Sequence, residues 1–295
     1  MFVESNGTKR QDVAYIFPGQ GAQVAPMGTV GFDRYPNEVE EASDLLGYRI
    51  DRLCLLDPEK QLGQTQFTQP ALYFTCALEF RSRSEDKLLQ PLVMAGHSLG
   101  EYAALYAAGA FSLMDGLRLV AERGRQMATA RDGGMTAVIG LPPRKLAEVV
   151  ADFPEIDIAN YNSYDQTVLA GPLSALDRAE VALNAAGART VVRLNVSAAF
   201  HSRAMRSAAE AFGSTLSTFS FRPLRLPVIS NRKAFAYRDD ELATELEAQI
   251  INPVRWVESI EYMLRMGVRE FVEIGPGRSM SRLIADIRAA TPFAN

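Results

Sequence analysis

Gly96-His97-Ser98-Leu99-Gly100 constrains this chain more than any other segment. Leu92-Val93-Met94-Ala95, just before it, is a short apolar run with the pattern of a buried strand. Glu101 to Ala108, just after it, is rich in Ala, Leu and Tyr and reads as a helix. A serine between glycines, at the junction of strand and helix, is a nucleophile elbow. Gly96 and Gly100 leave room for a strained turn that lifts the Ser98 hydroxyl clear of the backbone. The helix that follows aims free N–H groups at any developing oxyanion. A tight structural turn is the bland alternative for the same five residues.

A serine nucleophile needs a base, and the chain holds two histidines. His97 adjoins Ser98, so its side chain should point away from the serine hydroxyl. His201 is left by elimination, in Ser197-Ala198-Ala199-Phe200-His201-Ser202, after the strand-like run Thr190 to Val196.

Alternating patterns frame the elbow. Val13-Ala14-Tyr15-Ile16-Phe17 reads as a strand entering the glycine-rich turn Pro18-Gly19-Gln20-Gly21-Ala22-Gln23. Helical patterns follow through Glu85, with breaks expected near Asp57-Pro58 and Gln69-Pro70. A further helix covers about Met114 to Arg131. From Gly133 the pattern changes: strand (Thr136–Leu141), helix (Pro142–Ala151), two strands (Ile156–Asn160 and Gln166–Ala170), helix (Leu173–Ala186) and strand (Arg189–Leu194). That β-α-β-β-α-β order is the ferredoxin-like split unit. Beyond His201, strands at Leu226–Ser230 and Glu270–Ile274 alternate with helices at Asp240–Ile250 and Val254–Met266. Such alternation predicts a mostly parallel sheet with its site at the carboxyl ends of the strands, where Gln20, Ser98 and Gly275 fall.

The bulk numbers agree with a globular enzyme: 47% hydrophobic, 22% charged, net charge −4. That charge gives no nucleic-acid footprint. No run approaches the ~18 apolar residues of a membrane span. Met1 to Asp12 is polar and lacks the apolar core of a signal peptide. Cys54 and Cys76 have no metal-ligand spacing and read as buried, reduced thiols of a cytoplasmic protein.

Five segments together resemble the malonyl-CoA:acyl carrier protein transacylase family. They are Phe17–Gln23, Gly96–Glu101, Phe200-His201, Asn252-Pro253-Val254-Arg255-Trp256 and Glu273-Ile274-Gly275-Pro276-Gly277. Leu46-Gly47-Tyr48 and Gln64–Leu72 look closer still to the discrete, trans-acting acyltransferases that load modular polyketide synthases. The resemblance implies an α/β fold: a large α/β-hydrolase-like subdomain with a parallel sheet (1–132 and 198–295) and an inserted ferredoxin-like subdomain (133–197). It implies transfer of malonyl from malonyl-CoA to Ser98, then to the phosphopantetheine thiol of an acyl carrier protein. Neither a protein-bound cofactor nor a metal is implied, and no membrane or nucleic-acid partner.

The resemblance also assigns roles. Ser98 is the nucleophile and His201 the base, oriented by a main-chain carbonyl assigned to Gln249. The amides of Leu99 and Gln20 form the oxyanion hole. Arg123 binds the malonyl carboxylate, while Gln69 and Asn162 line the cleft. Phe200 and Leu99 go with malonyl rather than methylmalonyl, a phenyl ring filling the space of an α-methyl. Ala198 departs from the polyketide malonyl signature, which usually has histidine there. Periodicity alone leaves Arg118, Arg123 and Arg125 open, because all three border the stripe of Leu117, Val120, Ala121, Gly124, Met127 and Ala128. Docking of an acidic carrier onto a net-negative enzyme calls for a local basic patch, with Arg203, Arg206, Arg278 and Arg282 as candidates. The rival readings are an acyl hydrolase of the same fold, a malonyl transacylase of fatty-acid synthesis, and an inactive docking protein.

Overall fold

The structure is a computed structural model that describes residues 12–85 and 90–291. Apart from Asp12, the polar N-terminal stretch lies outside the described residues. Eight strands are described: β1 (Val13–Phe17), β2 (Val93–Gly96), β3 (Gly134–Ile139), β4 (Asp157–Tyr161), β5 (Gln166–Gly171), β6 (Thr190–Arg193), β7 (Val228–Ile229) and β8 (Glu270–Glu273).

Two sheets result. The first has the order β7-β2-β1-β8 and is parallel throughout. β1 is buried at all five residues because helices cover both faces of its sheet, which is why it reads as an unbroken apolar run. Pairing of Phe17 with Gly96 brings the ends of β1 and β2 level. The second sheet is antiparallel, β4-β5-β3-β6. Alternation sorts its two faces. Val138 and Leu169 pack under the helices Pro143–Val150 and Leu173–Ala185, while Ala137, Val168 and Ala170 join the main core. The chain is thus α/β, a parallel sheet with a β-α-β-β-α-β unit inserted, as the sequence pattern predicts.

One expectation is corrected. The sequence predicts a helix break at Gln69-Pro70, yet the helix Thr65–Glu85 runs through Pro70. An interior proline costs about 3 kcal/mol in a helix. Here packing overrides it, since every residue from Thr68 to Leu78 is buried. The helix after the elbow pair also ends earlier than expected, at Met127 rather than Arg131.

The elbow depends on close backbone approach. A Cβ on Gly96 would fall 1.9 Å from the Gly100 carbonyl carbon, and one on Gly100 would fall 2.2 Å from the Phe17 oxygen. Both obstacles are backbone atoms, so nothing can rotate aside. Gly96→Ala should therefore lower stability by roughly 4 kcal/mol or more, or prevent folding. Gly63→Ala, with open space around its Cβ, should change it by less than about 0.5 kcal/mol. Chemical denaturation of both variants checks this, and equal, small effects would overturn the packing argument.

Candidate active site

Ser98 sits in the left-handed region with φ 50°, a strained conformation for a residue with a Cβ. Side chains from elsewhere hold it there. The Ser98 N–H donates to Asn231 Oδ1 at 2.6 Å, and Asn231 Nδ2 donates to the Gly96 carbonyl at 2.6 Å. Gln249 Nε2 donates to the Ser98 carbonyl at 2.9 Å. Asn231 follows β7, the neighbour of β2, so the sheet itself delivers this clamp.

His201 meets the serine. Its Nε2 lies 2.7 Å from Ser98 Oγ, and its Nδ1 lies 2.9 Å from the Gln249 carbonyl and 3.2 Å from that of Asn252. A carbonyl only accepts, so Nδ1 carries the proton and the Nε2 lone pair faces the hydroxyl. His201 also has a positive φ, 58°. Burial, and then the charge of Arg123, hold its pKa down at about 3. The ring is therefore neutral, ready to accept a proton. His97 turns the other way. Its Nε2 is 2.8 Å from Asn162 Oδ1 and its ring stands edge-on to Trp256.

Of the three candidate arginines, Arg123 alone is buried, at 1% exposure. Arg118 and Arg125 point outward and pair with Asp115 and Glu122. Arg123 donates to Gln69 Oε1 at 2.6 Å, to Gln249 Oε1 at 2.8 Å and to Ser98 Oγ at 3.4 Å. Its guanidinium also lies 5.3 Å from the Tyr102 ring centroid. These partners are neutral, and its Nε has none among the described residues. A buried cation whose direct hydrogen-bond partners are all neutral is suited to an anion.

One pocket gathers Gln20, Gln69, Ser98, Leu99, Arg123, Phe200 and His201. The antiparallel unit contributes Met135 and Asn160 to the same wall. Among the described residues, neither the Gln20 nor the Leu99 amide donates a backbone hydrogen bond. The Gln20 side chain accepts from Thr65 Oγ1 at 2.6 Å, which fixes the first turn against the helix Thr65–Glu85. One residue is placed differently than expected. Asn162 holds His97, and Asn160 rather than Asn162 lines the pocket. Gln249 acts through both its carbonyl and its side chain, a bridge between Arg123 and the elbow.

Sequence reasoning missed Asn231 and the role of Glu101. Glu101 is fully buried, accepting from the Tyr237 hydroxyl at 2.5 Å, the Asn231 N–H at 3.0 Å and Gln249 Nε2. Burial pushes its pKa up to about 7 despite those donors. An acid in the first turn of a helix is ordinarily a solvated one. The signal available was its setting, an otherwise apolar, Ala-rich helix. Asn231 had no signal, because only tertiary contact brings it to the elbow.

The chain matches the acyl transferase domain family over residues 14–288. It is 48% identical over 276 residues to the polyketide biosynthesis protein ThaF of Burkholderia thailandensis, covering 93% of this chain but only 24% of that protein. It is 43% identical to the polyketide biosynthesis malonyl CoA-acyl carrier protein transacylase BaeC of Bacillus velezensis, covering 95% of this chain and 98% of BaeC. The crystal structure of a malonyl CoA-acyl carrier protein transacylase from Burkholderia pseudomallei superposes with a TM-score of 0.91 at 41% identity, covering 95% of this chain and 99% of that one. With its elbow serine, buried imidazole and β-α-β-β-α-β insert, this chain belongs to the acyl transferase domain family.

Proposed function

We propose that this chain is an acyltransferase that moves a malonyl group from malonyl-CoA, through a Ser98 acyl-enzyme, to the phosphopantetheine thiol of an acyl carrier protein. The names of BaeC and of the Burkholderia pseudomallei protein support the reaction. Similarity to ThaF and BaeC supports a polyketide setting, in which the enzyme would act in trans. The single observation that carries the substrate is Arg123, a buried guanidinium 3.4 Å from the nucleophile with only neutral partners. Malonate has a free carboxylate to give it and acetate has none. A general acyl hydrolase has no use for such a charge.

The geometry suits a two-step exchange. Neutral His201 takes the Ser98 proton as Oγ attacks the thioester carbonyl. The developing oxyanion is met by the Gln20 and Leu99 amides, each such donor contributing roughly 10²–10³ in rate. The tetrahedral adduct collapses, the C–S bond breaks, and His201 returns the proton to the departing thiolate. The carrier's thiol then gives its proton to His201 and attacks the ester carbonyl, and the C–O bond breaks as His201 returns the proton to Ser98 Oγ. Nucleophile, base and carboxylate clamp are all side chains, so this reaction needs no bound cofactor. The two lobes, 1–132 with 198–295 and 133–197, would flank the pocket. Cys54 and Cys76 are free and buried, in keeping with a cytoplasmic setting, and no helix among the described residues is long and apolar enough to cross a membrane.

Incubation with malonyl-CoA should add one malonyl group at Ser98, read by intact mass and peptide mapping. Ser98→Ala should take up none, and stoichiometric labelling of that variant would sink the mechanism. Release of the group to water faster than to carrier protein would make the enzyme a hydrolase.

Arg123→Ala should cut malonyl transfer about 10–150-fold, the equivalent of roughly 1.5–3 kcal/mol for a charge-assisted pair. Acetyl transfer should fall far less, and Arg123→Lys should rescue poorly because a point charge cannot replace the fork. Equal losses for malonyl and acetyl would make the arginine structural. Phe200 is buried on the same wall. Phe200→Ser should raise methylmalonyl relative to malonyl transfer, by no more than about 10–200-fold for one methyl group. An unchanged ratio would assign the choice to other wall residues.

His201 also sets a pH dependence. Its folded pKa of about 3 lies below the ordinary value of 6.5. Between the two, the unfolded chain binds one more proton here, so this site lowers stability as pH falls below 6.5. His201→Asn lacks that dependence. Its stability relative to wild type should rise by about 1.4 kcal/mol per pH unit below 6.5, measured by denaturation between pH 5 and 8. A difference independent of pH would mean that the imidazole titrates normally.

A further inference from the structure

A second cavity opens beside the catalytic pocket, and Gln20 and Val196 line both. Its wall is polar, with Gln64, Gln66 and Asn195 among its residues. The charged residues on that wall are Lys60 and Arg131, and no carboxylate lines it. Both are exposed. Neither makes an ion pair among the described residues, whereas neighbouring Arg118 and Arg125 are paired with acids of their own helix. Two unpaired cations facing one cavity stand out in a chain of net charge −4. The arginines expected on sequence grounds to receive the carrier do not line either cavity, and Arg203 is held at Asp157 by its main-chain N–H and two guanidinium nitrogens.

The orientation of a bound thioester follows from the acyl-transfer reading, on which this inference rests. The acyl carboxylate points inward to Arg123, and the carbonyl oxygen meets the Gln20 and Leu99 amides. The sulfur must then leave on the side away from Arg123, and Gln20 stands at the junction with the second cavity. A pantetheine arm leaving that way is uncharged until its far end, where it carries a phosphate. Coenzyme A and a carrier protein both present that phosphate, one as part of a diphosphate and the other as a serine phosphodiester. We propose that Lys60 and Arg131 form a phosphate clamp for the end of the pantetheine arm, used by donor and acceptor in turn. A clamp on the one charged group shared by both carriers would hold either arm in the same register over Ser98. Because both cations are exposed, each contact is screened, and the pair should work mainly through KM.

The test compares the full-length wild type with the double variant Lys60→Gln/Arg131→Gln. Three donors are used: malonyl-CoA, malonyl-phosphopantetheine, and malonyl-pantetheine, which lacks the phosphate. In the double variant, KM for the two phosphate-bearing donors should rise about tenfold with kcat retained. The phosphate-free donor should be used equally by both proteins. As acceptors, free phosphopantetheine and the holo carrier should both show the raised KM. A loss spread equally over all three donors would make the pair structural and overturn the clamp. A loss confined to malonyl-CoA would assign the cations to the nucleotide, and one confined to the holo carrier would assign them to the carrier's protein surface. Either result overturns the shared clamp. A wild type that no malonyl donor acylates would refute the acyl-transfer reading itself, a result separable from all the others.

Discussion

A guanidinium buried to 1% exposure, without a carboxylate in contact, is the constraint around which this site is organised. Burying a charge is expensive unless hydrogen bonds compensate it. Here Gln69 and Gln249 supply the compensation with their amide oxygens, and Tyr102 offers the face of its ring. These groups come from three separate helices, so the charge ties those helices to one another. The second amide of the set does more. Gln249 passes its N–H groups to the Ser98 carbonyl and to Glu101. Arg123, Gln249, Glu101 and the nucleophile's own backbone therefore form one connected network. Networks of this kind are rigid when every member is satisfied. Arg123 Nε is the one atom of this network left without a partner among the described residues.

The nucleophile and the base are both held in left-handed backbone conformations, with φ of 50° and 58°. Strain of this sort costs about 1–3 kcal/mol per residue and persists only where the surroundings over-determine it. For Ser98 the surroundings are Asn231 and Gln249, which occupy its N–H and its carbonyl. For His201 they are the carbonyls of Gln249 and Asn252, which fix the ring's tautomer. Gln249 thus serves Ser98, His201 and Arg123 at once. Its side chain, bonded to Arg123, the Ser98 carbonyl and Glu101, cannot be exchanged for a hydrophobic one without leaving several buried groups unpaired.

Two features of this arrangement set the chemistry apart from simple ester hydrolysis. The pocket wall includes Met127, Met135, Leu194 and Phe200 beside the single charge of Arg123. It is contiguous with a polar cavity that bears two unpaired cations. On the proposed reading, the inner pocket would take a short acid with one free carboxylate and the outer cavity a long polar arm that ends in phosphate.

Local pattern determined much of this protein. The short apolar strand, the glycines and the helix around Ser98 are a contiguous signal, so the elbow was legible without any tertiary contact. The split β-α-β-β-α-β unit was legible too, because period-two and helical patterns alternate there with clear turns. His201 could be named because the chain has so few histidines. Arg123 was a different case. Three arginines share the flank of one helical stripe, and periodicity resolves a face only to within a residue or so. The family resemblance proposed one of them, and packing against the helix Thr65–Glu85 then buried that one. That helix itself runs through Pro70 against its local propensity, since burial on all sides from Thr68 to Leu78 outweighs a single missing hydrogen bond. Asn231, the second duty of Gln249 and the true station of Asn162 lay beyond reach for a simpler reason. Each depends on a side-chain contact between residues far apart in sequence, and nothing in the local pattern encodes which distant strand end or helix will supply the partner. The sequence by itself determined the elements and the chemistry at the elbow, and only the tertiary structure decided which distant side chains hold that chemistry in place.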